Sequence, residues 1–294
     1  MRRIIESKSG VSNEVLIILI GSIHGNEKEG VKAIERTFKR LNSGSFEING
    51  KVIGIAGNLK AIQEQKRFID HDLNRCWTDE HIQKCLSNTG KLVNEDKELV
   101  ELYHLINEVI SEDYQQKYVI DLHTTSADNG NFLVYPGKVD DSTIAKQLGL
   151  PMITNLDDYL EGTTLLKYYS SDDVVSFAFE GGQIGSAKAI DIHAEGIWQL
   201  LQLSGIIPLT DQPKPLIDPS ENLPSLLRVI YRHGVKINDG FKMNEGFESF
   251  QSVQKGEPLA TDKNGSICAP VDGRIFMPLY QSAGDDGFFI VEEI

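Results

Sequence analysis

Six consecutive apolar residues, Val15 to Ile20, constrain the fold of this chain more than any other feature. A run that short and that apolar, closed by Gly21, reads as a buried strand. The next segment carries Val31, Ile34, Phe38 and Leu41 at helical spacing. The pattern then repeats. Val52 to Ala56, Tyr118 to Leu122, Phe132 to Tyr135 and Val174 to Phe179 read as further strands. Leu99, Leu102, Leu105, Ile106 and Val109 mark a long helix. Ile190 to Leu203 marks another, with Ile192, Ile197, Leu200 and Leu201 on its apolar side. Strands alternating with helices predict an α/β layer with a largely parallel sheet.

The pattern changes at Leu209-Thr210-Asp211-Gln212-Pro213-Lys214-Pro215, a stretch of breakers that reads as a linker. Beyond it helical periodicity disappears. Short runs such as Leu227 to Tyr231, Gly265 to Ala269 and Phe288 to Val291 are separated by Gly, Asp, Asn and Pro. Two units are expected: an α/β domain over 1–208 and a small β-rich domain over 209–294.

At 294 residues the chain is long enough for one large core or two unequal ones. Its net charge of −14, with basic residues scattered, disfavours nucleic acid and anionic membranes as partners. No apolar run approaches the ~20 residues needed to span a bilayer, and charge interrupts the N-terminus before a signal-like core develops. Three cysteines, Cys76, Cys85 and Cys268, form no metal-spaced pair and no disulfide framework, which fits a reducing cytoplasm.

The chemistry begins where the first strand ends. Gly21-Ser22-Ile23-His24-Gly25-Asn26-Glu27 places an imidazole and a carboxylate three residues apart. A second imidazole, His123, closes the apolar run Val119-Ile120-Asp121-Leu122. In an open α/β sheet, ligands gather at the carboxyl ends of strands, so chain-distant groups can meet there. Two histidines and a carboxylate form the ligand set of an open catalytic zinc site. Asp121 is a candidate to orient an imidazole. A lone histidine is more often an ordinary surface or core residue, and His71, His81, His104, His193 and His233 are read that way.

Such a zinc polarises a carbonyl and acidifies water, but a base must take the proton and a cation must hold the developing oxyanion. Glu180, which ends the run Val174 to Phe179 and precedes Gly181-Gly182, suits the base. Arg67-Phe68-Ile69-Asp70-His71-Asp72-Leu73-Asn74-Arg75 supplies cations and amides. Arg67 can face the polarised carbonyl, and Asn74 with Arg75 can hold a substrate carboxylate. The competing reading of that cluster is a surface loop laced with salt bridges, which holds if it lies far from the metal.

Taken together, Gly21 to Glu27, Asp72-Leu73-Asn74-Arg75, Asp121-Leu122-His123-Thr124-Thr125-Ser126 and Glu180-Gly181-Gly182 resemble the succinylglutamate desuccinylase/aspartoacylase family. That family is a branch of the zinc carboxypeptidase-like fold. The tail Met277-Pro278-Leu279-Tyr280-Gln281, followed by Gly284 to Phe289, resembles its C-terminal β domain. The resemblance implies a mixed sheet flanked by helices and a zinc-dependent hydrolase of N-acyl amino acids, possible as a homo-oligomer. It implies one Zn2+ on His24, Glu27 and His123, Glu180 as base and then acid, and Arg67 on the oxyanion. Asn74 and Arg75 would hold the amino acid carboxylate, and Tyr280 would reach the pocket from the second domain. One departure stands out. Aspartoacylase-like members carry a further basic residue some ten positions before the base, where this chain has Lys167-Tyr168-Tyr169-Ser170 and no Arg. A peptide-trimming carboxypeptidase and a non-catalytic binder on a degenerate fold are the competing readings. A lipoyl-like carrier is disfavoured because Gly273 to Pro278 lacks a Lys-Met pair.

Overall fold

The apolar run forms β2 (Val15–Gly21), buried at every residue. Its side chains alternate between two layers. Leu16, Ile18 and Ile20 pack with Leu99, Leu102 and Ile106 on one side. Val15, Ile17 and Leu19 pack with Ile34, Phe38 and Leu41 on the other. A strand covered on both faces has no position for a polar side chain, which is why the run is unbroken. The structure is a computed structural model describing residues 1–44, 47–87, 90–126, 130–137, 139, 144–209, 215–217, 223–236, 238–280 and 284–294. Residues 210–214 of the expected linker, and Gln281 of the tail motif, lie outside them.

β3 (Gly50–Ala56) and β4 (Gln116–Thr125) flank β2 in parallel, and β7 (Val174–Gln183) runs parallel to β4. β1 (Ile4–Ser9) closes that side antiparallel to β3. On the other side β5 (Phe132–Tyr135) returns antiparallel to β7. The link from Thr125 to Phe132 is too short for a helical crossover, so the chain must reverse direction. β6 (Met152–Thr154) and β8 (Leu226–Gly234) then follow in parallel. β14 (Asp286–Glu293), β13 (Gly273–Phe276) and β10 (Ser252–Val253) extend the same sheet antiparallel. The sheet is therefore mixed, where strand–helix alternation alone suggested a largely parallel one.

Helix α1 (Glu29–Ser43), α5 (Ile144–Gln147) and α7 (Ala187–Leu203) cover one face. The other face is covered by α3 (Asp79–Leu86), α4 (Asn94–Ile110) and α6 (Leu165–Tyr169), and α2 (Leu59–Glu64) lies against α4. After α7, every regular element among the described residues is a strand. β9 (Lys242–Met243), β11 (Pro258–Asp262) and β12 (Gly265–Cys268) make a second small sheet. Its residues Met243, Leu259 and Ala260 share a core with Phe288 and Ile290 of β14.

Candidate metal centre and substrate cleft

The turn after β2 is shaped by close backbone approach. A Cβ on Gly25 would fall 2.1 Å from the Ala61 carbonyl carbon, and one on Gly21 would fall 2.7 Å from the Val31 nitrogen. Only glycine fits at either place. Between them Ser22 adopts the left-handed region at φ 62°, and its hydroxyl donates to the Glu27 carbonyl at 2.7 Å. A strained, buried residue at a strand end holds its neighbours in a fixed geometry. His24 and Glu27 are thus set at the carboxyl end of β2, just before α1.

His123 arrives from β4 and stands beside them. The apolar run of β4 ends at Leu122, but pairing with β7 carries the strand through Thr125, so His123 lies on the strand rather than after it. Its Nδ1 is 3.2 Å from Glu27 Oε2, and His24 Nδ1 is 2.9 Å from Glu27 Oε1. The Thr124 N–H donates to Glu27 Oε2 at 3.0 Å. The far nitrogen of each ring is held by an aspartate: His24 Nε2 by Asp72 at 3.2 Å, His123 Nε2 by Asp121 at 2.7 Å. Each imidazole therefore turns its near nitrogen towards Glu27. All three side chains are buried, and their ligand atoms lie within 4.8 Å of one another.

The electrostatics favour a cation here. Glu27, Asp121 and Glu180 are buried and Asp72 nearly so, and the Arg67 and Arg75 guanidiniums both act on Asp72. Burial works against the Glu27 carboxylate, yet His24 and His123 hold it well below its usual range. Burial likewise opposes the charged form of His123, yet Asp121 and Glu27 hold it well above the usual imidazole value. Buried charges persist only when paired or bound to a metal. Two imidazole nitrogens and a carboxylate, each oriented from behind, match a zinc donor set with an open position.

Glu180 faces this group from β7. Burial, together with the Glu27 and Asp121 carboxylates, pushes it up to about 8, and its Oε2 has no hydrogen-bond partner. The strand is tightly packed next to it: a Cβ on Gly181 would lie 2.4 Å from His193 Nε2. His193 comes from α7, donates Nε2–H to the Phe179 carbonyl at 3.0 Å, and is pushed by burial down to about 4. It is a neutral core histidine that fixes the strand under Glu180.

The arginine segment lies against the metal group rather than apart from it. Arg67 places Nη1 3.4 Å from Glu27 and Nη2 3.0 Å from Asp72. Glu95, in the first turn of α4, accepts the N–H groups of Ile69 and Asp70 at 2.7 and 2.9 Å and so anchors the segment. Asn74 gives its amide oxygen to the Leu165 N–H at 2.9 Å, which leaves its NH2 end for the cleft. Arg75 pairs with Asp286 at 3.1 Å, and Asp286 also accepts from Arg232 at 2.6 Å.

His24, Glu27, Arg67, Asn74, Arg75, His123 and Glu180 line one open cleft with Leu156, Asp157, Leu160, Leu166, Met277 and Asp286. Tyr280 is not among the lining side chains. Its hydroxyl accepts from the Phe247 N–H and donates to the Asn244 carbonyl, while its own N–H donates to Ser126 Oγ. Lys167 does not line the cleft either; the wall near it presents Asp157. Three contributors lay outside the sequence reading. Asp72 stood inside the quoted Asp72-Leu73-Asn74-Arg75 motif and carried that much signal. Glu95 looked like any acidic residue of a helix first turn, and Asp286 is remote in sequence from the Arg75 it meets.

Comparison with known proteins places this geometry among relatives. Residues 14–203 match the model of the succinylglutamate desuccinylase/aspartoacylase catalytic domain. A probable aspartoacylase of Prochlorococcus marinus (strain NATL2A) is 31% identical over 286 residues, covering 91% of this chain and 87% of that protein. A succinylglutamate desuccinylase of Pseudoalteromonas atlantica is 24% identical over 286 residues, covering 92% and 78%. In fold, the crystal structure of a succinylglutamate desuccinylase/aspartoacylase from Rhodobacter sphaeroides superposes with a TM-score of 0.72 at 19% identity, covering 98% of this chain and 88% of that one.

Proposed function

The chain belongs to the succinylglutamate desuccinylase/aspartoacylase family, and from that premise we propose that it is a zinc-dependent deacylase of small N-acyl amino acids. The observation that carries this reading is the convergence of His24 Nδ1, His123 Nδ1 and the Glu27 carboxylate, each held from outside by a further residue. Zinc held by these three would polarise the acyl carbonyl and acidify a water at the same place.

The chain's own residues do the rest. Glu180, a buried carboxyl beside His123, takes a proton from the attacking water and returns it to the departing nitrogen. The water oxygen first bonds to the carbonyl carbon, and the C–N bond of the tetrahedral species then breaks as its nitrogen takes the proton, giving a carboxylate and a free amino acid. Arg67, within reach of Glu27, donates to the oxygen that gains charge in the transition state. Asn74 and Arg75 bind the amino acid carboxylate, with Asp286 holding the Arg75 fork in position. Residues 209–294 act as a capping unit, sending Met277, Leu279, Asp285 and Asp286 to the cleft, and Tyr280 supports that edge through its contact with Ser126.

The cleft wall also bears on the substrate. The lining includes Leu160, Leu166 and Asp157, and Arg67 and Arg75 are its only Lys or Arg cations among the described residues, both engaged in the roles above. Desolvating an anion there without a partner is costly, so acyl derivatives of neutral amino acids fit better than those of aspartate or glutamate.

The deciding experiment is a hydrolysis screen of zinc-loaded and chelated protein across N-acetyl and N-succinyl amino acids, with short peptides alongside. Zinc-dependent release of free amino acid supports the proposal. Preferential peptide cleavage would make the chain a carboxypeptidase, and no hydrolysis at all would leave a binding protein.

A further inference from the structure

On the helical side of the arginine segment, five metal-type donors gather away from His24, Glu27 and His123. His71, Cys76 and His81 have ligand atoms within 4.8 Å of one another, and so do His81, Cys85 and Asp96. His81 is common to both groups. The cluster follows from local structure. His81 and Cys85 are one turn apart on α3, hence on one face. Asp96 is fixed in the first turn of α4 because its Oδ2 accepts the Val93 N–H at 3.1 Å. His71 and Cys76 bracket the short 3-10 turn Leu73–Arg75.

Hydrogen bonding within the protein leaves one of these donors, His71 Nε2, without a partner. Asp96 Oδ1 meets His81 Nε2 at 3.0 Å and stands 3.7 Å from His71 Nε2. That His71 nitrogen is buried and has no hydrogen-bond partner. The two rings meet edge to face at 5.8 Å. Cys76 donates to the Leu73 carbonyl at 3.3 Å, and the buried Cys85 hydrogen-bonds to Asp96. Buried polar atoms without partners are rare and point to a missing one.

We propose that this cluster is a second metal site, taking one thiophilic divalent cation of the zinc class through His71, Cys76 and His81, with Asp96, which stands beside both rings, as the fourth donor. Thiolate and imidazole donors select zinc-class ions over magnesium or calcium. Donors of a tetrahedral zinc site stand roughly 3.3–3.8 Å apart for bonds of ~2.0–2.3 Å, and the ligand atoms of His71, Cys76 and His81 already lie within 4.8 Å of one another. The ion would tie Asp72, Asn74 and Arg75 to α3 and α4. Its role is a clip that steadies the cleft wall, with no open position for substrate chemistry. Nothing in the spacing marks it, because His71, Cys76, His81, Cys85 and Asp96 match no known metal motif.

The test uses the full chain in a Cys268→Ser background, which removes the exposed third thiol. Zinc per chain is measured after saturation and gel filtration, and cobalt(II) is substituted to read the thiolate-to-metal charge-transfer band. The parent should bind two zinc ions and show the band. The His24→Ala/His123→Ala variant should keep one ion and the band, and zinc should raise its Tm. The Cys76→Ser/Cys85→Ser variant should keep one ion and lose the band. One zinc per chain and no band in the parent would overturn the proposal, whether or not the cysteine variant folds. The band does not depend on the catalytic reading, since no thiol touches His24, Glu27 or His123; failure of either reading is visible separately.

Discussion

His123 on β4 and Glu180 on β7 are register partners across a parallel strand pair. One ladder position therefore places an imidazole of the metal group beside the carboxyl proposed as base. Neither depends on a loop for its position, and a site built on strands holds its geometry tightly. His193 packing behind Gly181 adds a further constraint.

Replacing Glu180 with Gln should lower kcat about 10²–10⁴-fold, the usual worth of a positioned acid–base group. Bound zinc should stay the same, because Glu180 is outside the ligand set. Turnover by the variant equal to the parent would remove Glu180 from the proton-transfer role.

Asp121→Asn leaves His123 in place but weakens the acceptor at its Nε2. Zinc affinity should fall about 10–100-fold, as expected when a group orienting a ligand is lost. Competition with a chromogenic chelator reads the change, and an unaltered Kd would show that Asp121 does not tune the ligand.

Arg75→Lys replaces a planar fork by a point charge while Asp286 remains opposite. KM for an N-acyl amino acid should rise about tenfold with kcat little changed, the pattern of lost uniform binding. Across substrates, N-acyl derivatives of neutral amino acids should exceed N-acetyl-aspartate in kcat/KM. A preference for the aspartate derivative would mean that a cation reaches the Asp157 wall.

The pH dependence of stability carries a sign that can be tested in chelated protein. Glu180 rises from 4.5 to about 8 on burial, so the folded state holds that proton more tightly than the unfolded chain. Its contribution is complete below about pH 4.5 and is lost as pH rises through about 8. Between about pH 5 and 8, the parent should lose more thermal stability than Glu180→Gln, measured as Tm against pH. Parallel Tm curves would argue against a raised Glu180.

The longest strands and helices were legible because each buries a wide apolar face. Thus Val15–Ile20, the Val31 to Leu41 stripe and Leu99 to Val109 reappear as β2, α1 and α4. Short elements such as β6 and α5 carry too few residues to show a period. The reversal at β5 was missed because pairing direction depends on connection length, and apolar content does not encode it.

For the site, the sequence by itself determined the donor types, their order along the chain and the glycines that let the first turn close. Those are local matters, fixed by side-chain chemistry and backbone sterics within a few residues. Only the tertiary structure decided which groups meet. It drew Asp286 to Arg75, Glu95 to the arginine segment and His71 and His81 to two cysteines, and it directed Tyr280 to Asn244 and Phe247 rather than into the cleft. Such meetings are set by the order of β4, β7 and β14 in the large sheet and by how α4 packs against it. No spacing in the sequence records that packing, because a contact between distant segments depends on every element between them.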